Sequence, residues 1–433
     1  MSDSNINLVF LVLLWAITLF YYWKKKKAID PGFCLLSSYL VYSVFSLLLF
    51  NNDWYSGYYN DITFFPFVYL YIAMVMTSWP VLKYNPKDIK VFHPANRFLL
   101  NSISCIIIIC ALINLPSAII HLREGLILMF LSSSGGQELY QEMIESGTDA
   151  GGAISNIPSI ISNAFTNIAI LFLFYLLTQK KKSKFMIVGL GISVLSNIMH
   201  FLSTGQRGGV VRILLTVFIT YFAVKDFLID DIKKKIRRVG LVFIILISIP
   251  LVAITISRFA YRDTGVQGSF VDYIGQANLN FNNYGLDNGG IRYGDRTFPL
   301  FKRMLGFENV PKNFWERRNK YANLHISDQY FITYVGDFTL DFGPTVAAII
   351  MLLFSVFATY KTRIRNHEFF FEQLILLHFV MCITMQGAME LYTFSDVQGN
   401  LRVIVVFLCY ISFKLFRISK VKDNKSLGYG RSV

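Results

Sequence analysis

Continuous apolar runs separated by short polar stretches recur along the whole chain. Most are roughly 17 to 22 residues long, the length that spans about 30 Å of hydrocarbon as a helix. Eleven are predicted: Ile6 to Trp23, Phe33 to Phe50, Ile62 to Leu82, Phe98 to Leu115, Ile157 to Thr178, Phe185 to Leu202, Gly208 to Val224, Val239 to Ser257, Tyr330 to Thr359, Phe369 to Met389 and Leu401 to Phe416. Barrel strands would alternate apolar and polar residues over about ten positions. These runs do not alternate, so α-helices are the expected spanning element and the fold class is an all-α polytopic membrane bundle.

Two polar intervals exceed what a connection needs. Residues 116–156 open with a moderately amphipathic stretch, Ser117 to Leu131, and continue through Gly135 and Gly136 to Glu138, Glu142, Glu145 and Asp149. That stretch either lies on the membrane surface or belongs to an acidic solvated loop. Residues 258–329 are long enough for an extramembrane lid. The expected organisation is helices one to eight within 1–257, a large outward loop at 258–329, and helices nine to eleven with a tail within 330–433.

Composition agrees with this picture. Of 433 residues 54% are apolar and 16% charged, which leaves no room for a soluble domain of ordinary size. The net charge of +14 could point to nucleic acid, but it sorts by loop. Basic clusters at Lys24 to Lys27, Lys83 to Arg97, Lys180 to Lys184, Lys225 to Arg238, Lys361 to Arg365 and beyond Lys414 occupy every second loop, as the positive-inside rule requires. The amino terminus is therefore expected outside and the carboxyl tail in the cytoplasm. The first run has no basic residues before it and reads as a retained helix. Cys34, Cys105, Cys110, Cys382 and Cys409 all fall within runs, without CxxC spacing, so neither a disulfide nor zinc is implied.

The candidate chemistry is polar groups in costly places. Arg207 lies in Ser203-Thr-Gly-Gln-Arg-Gly-Gly209, between two apolar runs, where a charge needs a partner or a wet cavity. Glycines let backbone approach a phosphate closely. Arg212 either snorkels or pairs with a buried acid. Arg258 and Arg262, four apart, share a face if their helix continues and could clamp one diphosphate. Asp337 and Asp341 are likewise four apart, ahead of Gly343-Pro344, and either neutralise the arginines or contact substrate. Glu390, a further catalytic candidate, and Arg402, a candidate substrate ligand, complete a ring of polar groups expected to face the same leaflet. The 258–329 loop interleaves thirteen aromatics with ten basic residues, Arg292 among them, despite the depletion of cations from outward loops. Such a mixture suits a sugar carrying a diphosphate, or a lid stabilised by its own aromatics. His325 with Asp328 is the candidate general base, a histidine oriented by a carboxylate.

The Ser203 to Gly209 turn resembles the S/T-G-x-R-G signature of the Wzy group, the O-antigen and capsular oligosaccharide repeat-unit polymerases. Tyr273 to Asn282 and Gly336 to Gly343 are similar to further segments of that group, and the topology matches over most of the chain. The resemblance implies a metal-independent glycosyltransferase of the membrane-embedded C type, without cofactor, in the bacterial inner membrane. It would transfer a glycan from undecaprenyl diphosphate to a hydroxyl of the next lipid-linked repeat unit and release undecaprenyl diphosphate. Arg207 matches the signature; Arg258, Arg262 and Arg292 follow by position and chemistry. Membrane lipid is an expected partner, and a chain-length regulator is a partner the resemblance leaves open. An O-antigen ligase shares this topology. A flippase of the repeat unit is the alternative from another class, against which stands the absence of two similar halves.

Overall fold

Each predicted run becomes a helix because lipid offers no partner to backbone N–H and C=O groups, and a helix satisfies them within the segment. The chain is described as a computed structural model over residues 2–55, 57–131, 157–259 and 264–417. Its helices are α1 (Asp3–Lys26), α2 (Pro31–Phe50), α3 (Phe64–Lys83), α4 (Arg97–Leu131), α5 (Ile157–Ala164), α6 (Thr166–Thr178), α7 (Lys184–Ser203), α8 (Arg207–Val224) and α9 (Asp230–Phe259). They continue with α10 (Gly265–Asn280), α11 (Pro299–Met304), α12 (Phe314–Lys320), α13 (Thr333–Thr362), α14 (Phe371–Gln386) and α15 (Asp396–Leu415). Two three-residue strands, Val91–His93 and Glu368–Phe370, pair in parallel.

Eight helices among the described residues are long and apolar enough to cross a membrane, or up to nine if the α5–α6 pair, bent by 58°, is one span. Helices also occupy the two remaining predicted positions, α8 and the shorter α14. The chain is an all-α polytopic membrane protein.

Two boundaries differ from expectation. Residues 116–131 are not loop: α4 continues through Pro116 to Leu131. Pro116 removes one backbone donor, but the apolar residues after it keep the segment helical, and Gly125 packs so closely on α7 that an added Cβ would stand 2.6 Å from the Ser203 carbonyl oxygen. Residues 132–156 lie outside the described residues. The expected 258–329 loop also begins as bundle, because α10 packs along α2 where Gly275 leaves room for the Phe45 carbonyl. Ser46 Oγ donates to the Gly275 carbonyl at 2.7 Å, and Asn278 Nδ2 donates to Ser46 Oγ at 3.1 Å.

The chain divides into two units. The first comprises Met1–Tyr84, Arg262–Arg363 and Phe379–Ile404; the second comprises Asn85–Tyr261, Ile364–His378 and Val405–Val433. In the first, α1 buries Leu8, Leu11, Trp15 and Tyr22 along one stripe. Tyr39 of α2 is hydrogen-bonded to Ser78 Oγ of α3 (3.1 Å) and donates to the Thr384 carbonyl of α14 (3.0 Å), which ties the three helices together through polar groups in the interior. In the second unit α4 and α7 form the most extensive helix pair, and α6 is almost wholly buried.

Candidate functional site

In the second unit, α7 ends at Ser203 and the chain reverses through Gly205, whose φ of +65° favours glycine. Gln206 N–H donates to the Phe201 carbonyl at 2.8 Å and closes the turn. Gly209 is required on the far side, since a Cβ there would meet the Phe201 ring at 2.3 Å. Arg207 is thereby fixed as the first residue of α8, 7% exposed, with its guanidinium 3.7 Å from the centroid of the Phe259 ring of α9. A cation at a helix amino terminus adds to the positive end of the macrodipole, so the spot favours an anion.

In the first unit, the start of α13 and the segment before α11 build a buried ion cluster. Arg292 and Arg296 are four residues apart and meet Asp337 and Asp341, also four apart. Arg292 Nε lies 2.7 Å from Asp341 Oδ1, and Arg296 Nη1 lies 2.9 Å from Asp337 Oδ1. Arg296 also reaches Glu390 Oε2 at 3.3 Å. Backbone groups complete the carboxylates: Leu391 N–H donates to Asp337 (2.7 Å), and Thr297 donates to Asp341 from both N–H (2.7 Å) and Oγ1 (2.8 Å). Arg317 joins Asp328 to Asp396. Five carboxylates thus face three guanidiniums, and Asp337 and Asp341 are fully buried.

The backbone around this cluster is held in rare conformations. Tyr293, Thr333 and Asp396 all have positive φ, and Thr333 is β-branched and buried. Gly343, at φ +76° and ψ 159°, breaks α13 ahead of Pro344. Strain of about 1 to 3 kcal/mol per residue persists where neighbours over-determine it, and it gathers at functional sites. The neighbours here are explicit: Thr333 N–H donates to the Met389 carbonyl and Asp396 N–H to the Arg296 carbonyl.

Outside the spans, a second knot lies beside the cluster. Burial alone would raise the Asp295 carboxyl, but hydrogen bonds from Lys302, Lys320 and Tyr321 hold it below the usual range. Asp328 follows the same balance: burial opposes its charge, and Arg317, Arg296 and Arg292 outweigh that. Both stay ionised at neutral pH. Among the described residues no group of three or more His, Cys, Asp or Glu is placed to hold a metal ion.

The structure separates the residues singled out in the sequence. Arg292, Asp337 and Glu390 meet in the ion cluster, where Arg292 is committed to aspartates instead of standing open to a diphosphate. Arg402 is 8% exposed and donates to the Thr393 carbonyl at 2.8 Å. Arg207 and Arg258 belong to the second unit, and Arg262 lies outside the described residues. The expected His325–Asp328 pair is not formed, because Asp328 Oδ2 accepts from Arg317 Nε and Asp328 Oδ1 has no hydrogen-bond partner. His325 is exposed, with its ring against Gly289. Arg296 and Arg317 emerge only from the fold. For Arg296 a signal existed: its spacing from Arg292 repeats that of Asp337 and Asp341.

A family model described as O-antigen polysaccharide polymerase Wzy matches residues 1–282, well over half the chain. The matched stretch contains the Arg207 turn and α10 but ends before Arg292. No curated protein and no solved structure matches.

Proposed function

The chain belongs to the Wzy family of O-antigen polysaccharide polymerases and acts as a repeat-unit polymerase of the glycosyltransferase kind, and from that premise we propose how it handles its substrates. The repeat units arrive as undecaprenyl-diphosphate-linked oligosaccharides at the outer leaflet of the bacterial inner membrane. Arg207 binds the diphosphate of one of them. The observation that carries this reading is the buried Arg207 at the start of α8, held in a glycine-lined turn within the family-matched residues.

Transfer needs an acceptor hydroxyl to attack the anomeric carbon of the donor glycan. The new C–O bond forms as the bond from that carbon to the diphosphate oxygen breaks, undecaprenyl diphosphate leaves with the electron pair, and the hydroxyl proton passes to a base. A guanidinium stabilises the departing diphosphate by charge-assisted hydrogen bonds and needs no metal to do so. Of His325, Asp328 and Glu390, the last has the surroundings that best suit a base: its side chain is 12% exposed at the edge of the ion cluster and is oriented by Arg296. Asp328 is bound up with Arg317 and positions that arginine. The cluster carries more carboxylate than guanidinium, which suits sugar hydroxyls better than a second diphosphate.

The test is Arg207→Ala in cells. The expected result is loss of polymer, with single repeat units accumulating and the protein at normal level in the membrane. Arg207→Lys keeps a charge but not the planar fork and should retain only a small fraction of activity. Full-length polysaccharide from Arg207→Ala would overturn the assignment.

A further inference from the structure

Neither Arg207 nor the ion cluster uses the segment between α2 and α3. Within six positions it places Trp54, Tyr55, Tyr58 and Tyr59. Trp54 is 63% exposed and Tyr58 is 55% exposed, yet both are held. The Trp54 indole rests against Gly268 of α10, where an added Cβ would lie 3.8 Å from Trp54 Cδ1. Tyr58 stands edge-on to the Tyr55 ring at 6.2 Å and to the Tyr59 ring at 5.1 Å, with Tyr59 buried.

Side-chain amides grip the backbone that carries these rings. Asn283 accepts from Asn60 N–H (3.1 Å) and donates to the Asn60 carbonyl (3.4 Å). Asn282 makes the same pair with Thr63, at 2.9 and 2.8 Å. Two aromatic side chains are thus presented on a fixed platform, so little conformational freedom is lost when something stacks on them.

Exposed aromatics at the end of a membrane helix serve either lipid or carbohydrate. Lipid-anchoring segments combine them with cations that meet anionic headgroups. No Lys or Arg occurs between Pro31 and Leu82, and Asp53 and Asp61 flank the rings instead. Asp272 of α10 lies within electrostatic reach of Tyr58 and Tyr59. Ring faces cover the apolar face of a pyranose, while carboxylates, amides and phenols exchange hydrogen bonds with hydroxyls.

We infer that Trp54 and Tyr58 form a glycan-binding subsite, selective for uncharged or amino-sugar-bearing saccharide, that holds part of the oligosaccharide away from the bond being made. This rests on the polymerase reading. The probe is the free oligosaccharide repeat unit, released by mild acid from the host's own lipid-linked pool and carrying neither lipid nor diphosphate. It is titrated calorimetrically into the full chain in lipid nanodiscs. Wild type binds saturably, Trp54→Ala and Tyr58→Ala each weaken binding about tenfold, and Trp54→Phe, which keeps a ring, retains most of it. Equal binding by wild type and the double alanine variant overturns the proposal. So does the absence of binding together with quenching of Trp54 emission by brominated lipid, read against Trp54→Phe, which would make the loop a lipid anchor. Arg207→Ala should bind the free glycan as wild type does. A failure of the polymerase reading would therefore appear as absent chain growth, separately from this isotherm.

Discussion

Arg296 joins two acids through a single guanidinium. Removing it leaves the fully buried Asp337 without its closest cation, whereas removing both partners removes the uncompensated charge as well. Arg296→Ala is therefore expected to destabilise the protein by about 3 to 5 kcal/mol, and Arg296→Met with Asp337→Leu by much less; thermal unfolding of the purified variants in detergent measures both. Asp295 and Asp328 set an acid limit. Their folded-state affinities for protons are depressed, so their contribution to stability is complete above the unfolded value of about 3.9 and is lost as pH falls through the lower folded value. The protein should keep the same melting temperature from pH 8 to pH 5 on account of these groups and lose it only in stronger acid; an Asp328→Asn variant should show a weaker acid transition. At this scale legibility followed cost. Arg207 stood out because a charge between apolar runs needs a reason, and Asp337 and Asp341 for the same reason. The bond from Arg317 to Asp396 spans 79 residues and leaves no local pattern, and the His325–Asp328 reading failed because closeness in sequence says nothing about which cation a carboxylate finds first.

Among the elements, close helix approach is where single substitutions bite. A methyl at Gly275 would stand 2.5 Å from the Phe45 carbonyl oxygen, and backbone cannot swing aside as a side chain can. Gly275→Ala should cost about 1 to 3 kcal/mol by overpacking and separate α10 from α2, visible as a lower melting temperature and as protease access to α10. Gly343→Ala forces a side chain into a conformation open essentially to glycine and should cost a similar amount. The spans were readable from apolar runs because lipid enforces continuity. Two features were not. Pro116 normally ends a helix, but in a membrane neighbouring helices and apolar sequence carry the helix past it. α10 carries few large apolar residues and reads as loop, because its packing depends on small residues and amides whose partners lie on α2.

For the whole molecule, the proposed orientation rests on the positive-inside rule, under which the amino terminus and the Trp54 segment would lie outside and the Lys180 to Lys184 loop inside. Single cysteines at Asn60 and Lys181, in a background lacking the five native ones, should label from outside and from inside respectively with an impermeant maleimide; the reverse pattern would remove Arg207 from the leaflet assigned to it. The family match establishes the repeat-unit polymerase; the carrier and the leaflet belong to the proposal built on it. The central claim is that this chain alone joins lipid-linked repeat units. It is tested by incubating the purified protein in detergent with undecaprenyl-diphosphate-linked repeat units and resolving the glycans by size. The account predicts a ladder of multiples in wild type and none in Arg207→Ala. Unextended repeat units in the wild-type reaction, with the same protein moving them across proteoliposome membranes, would contradict it.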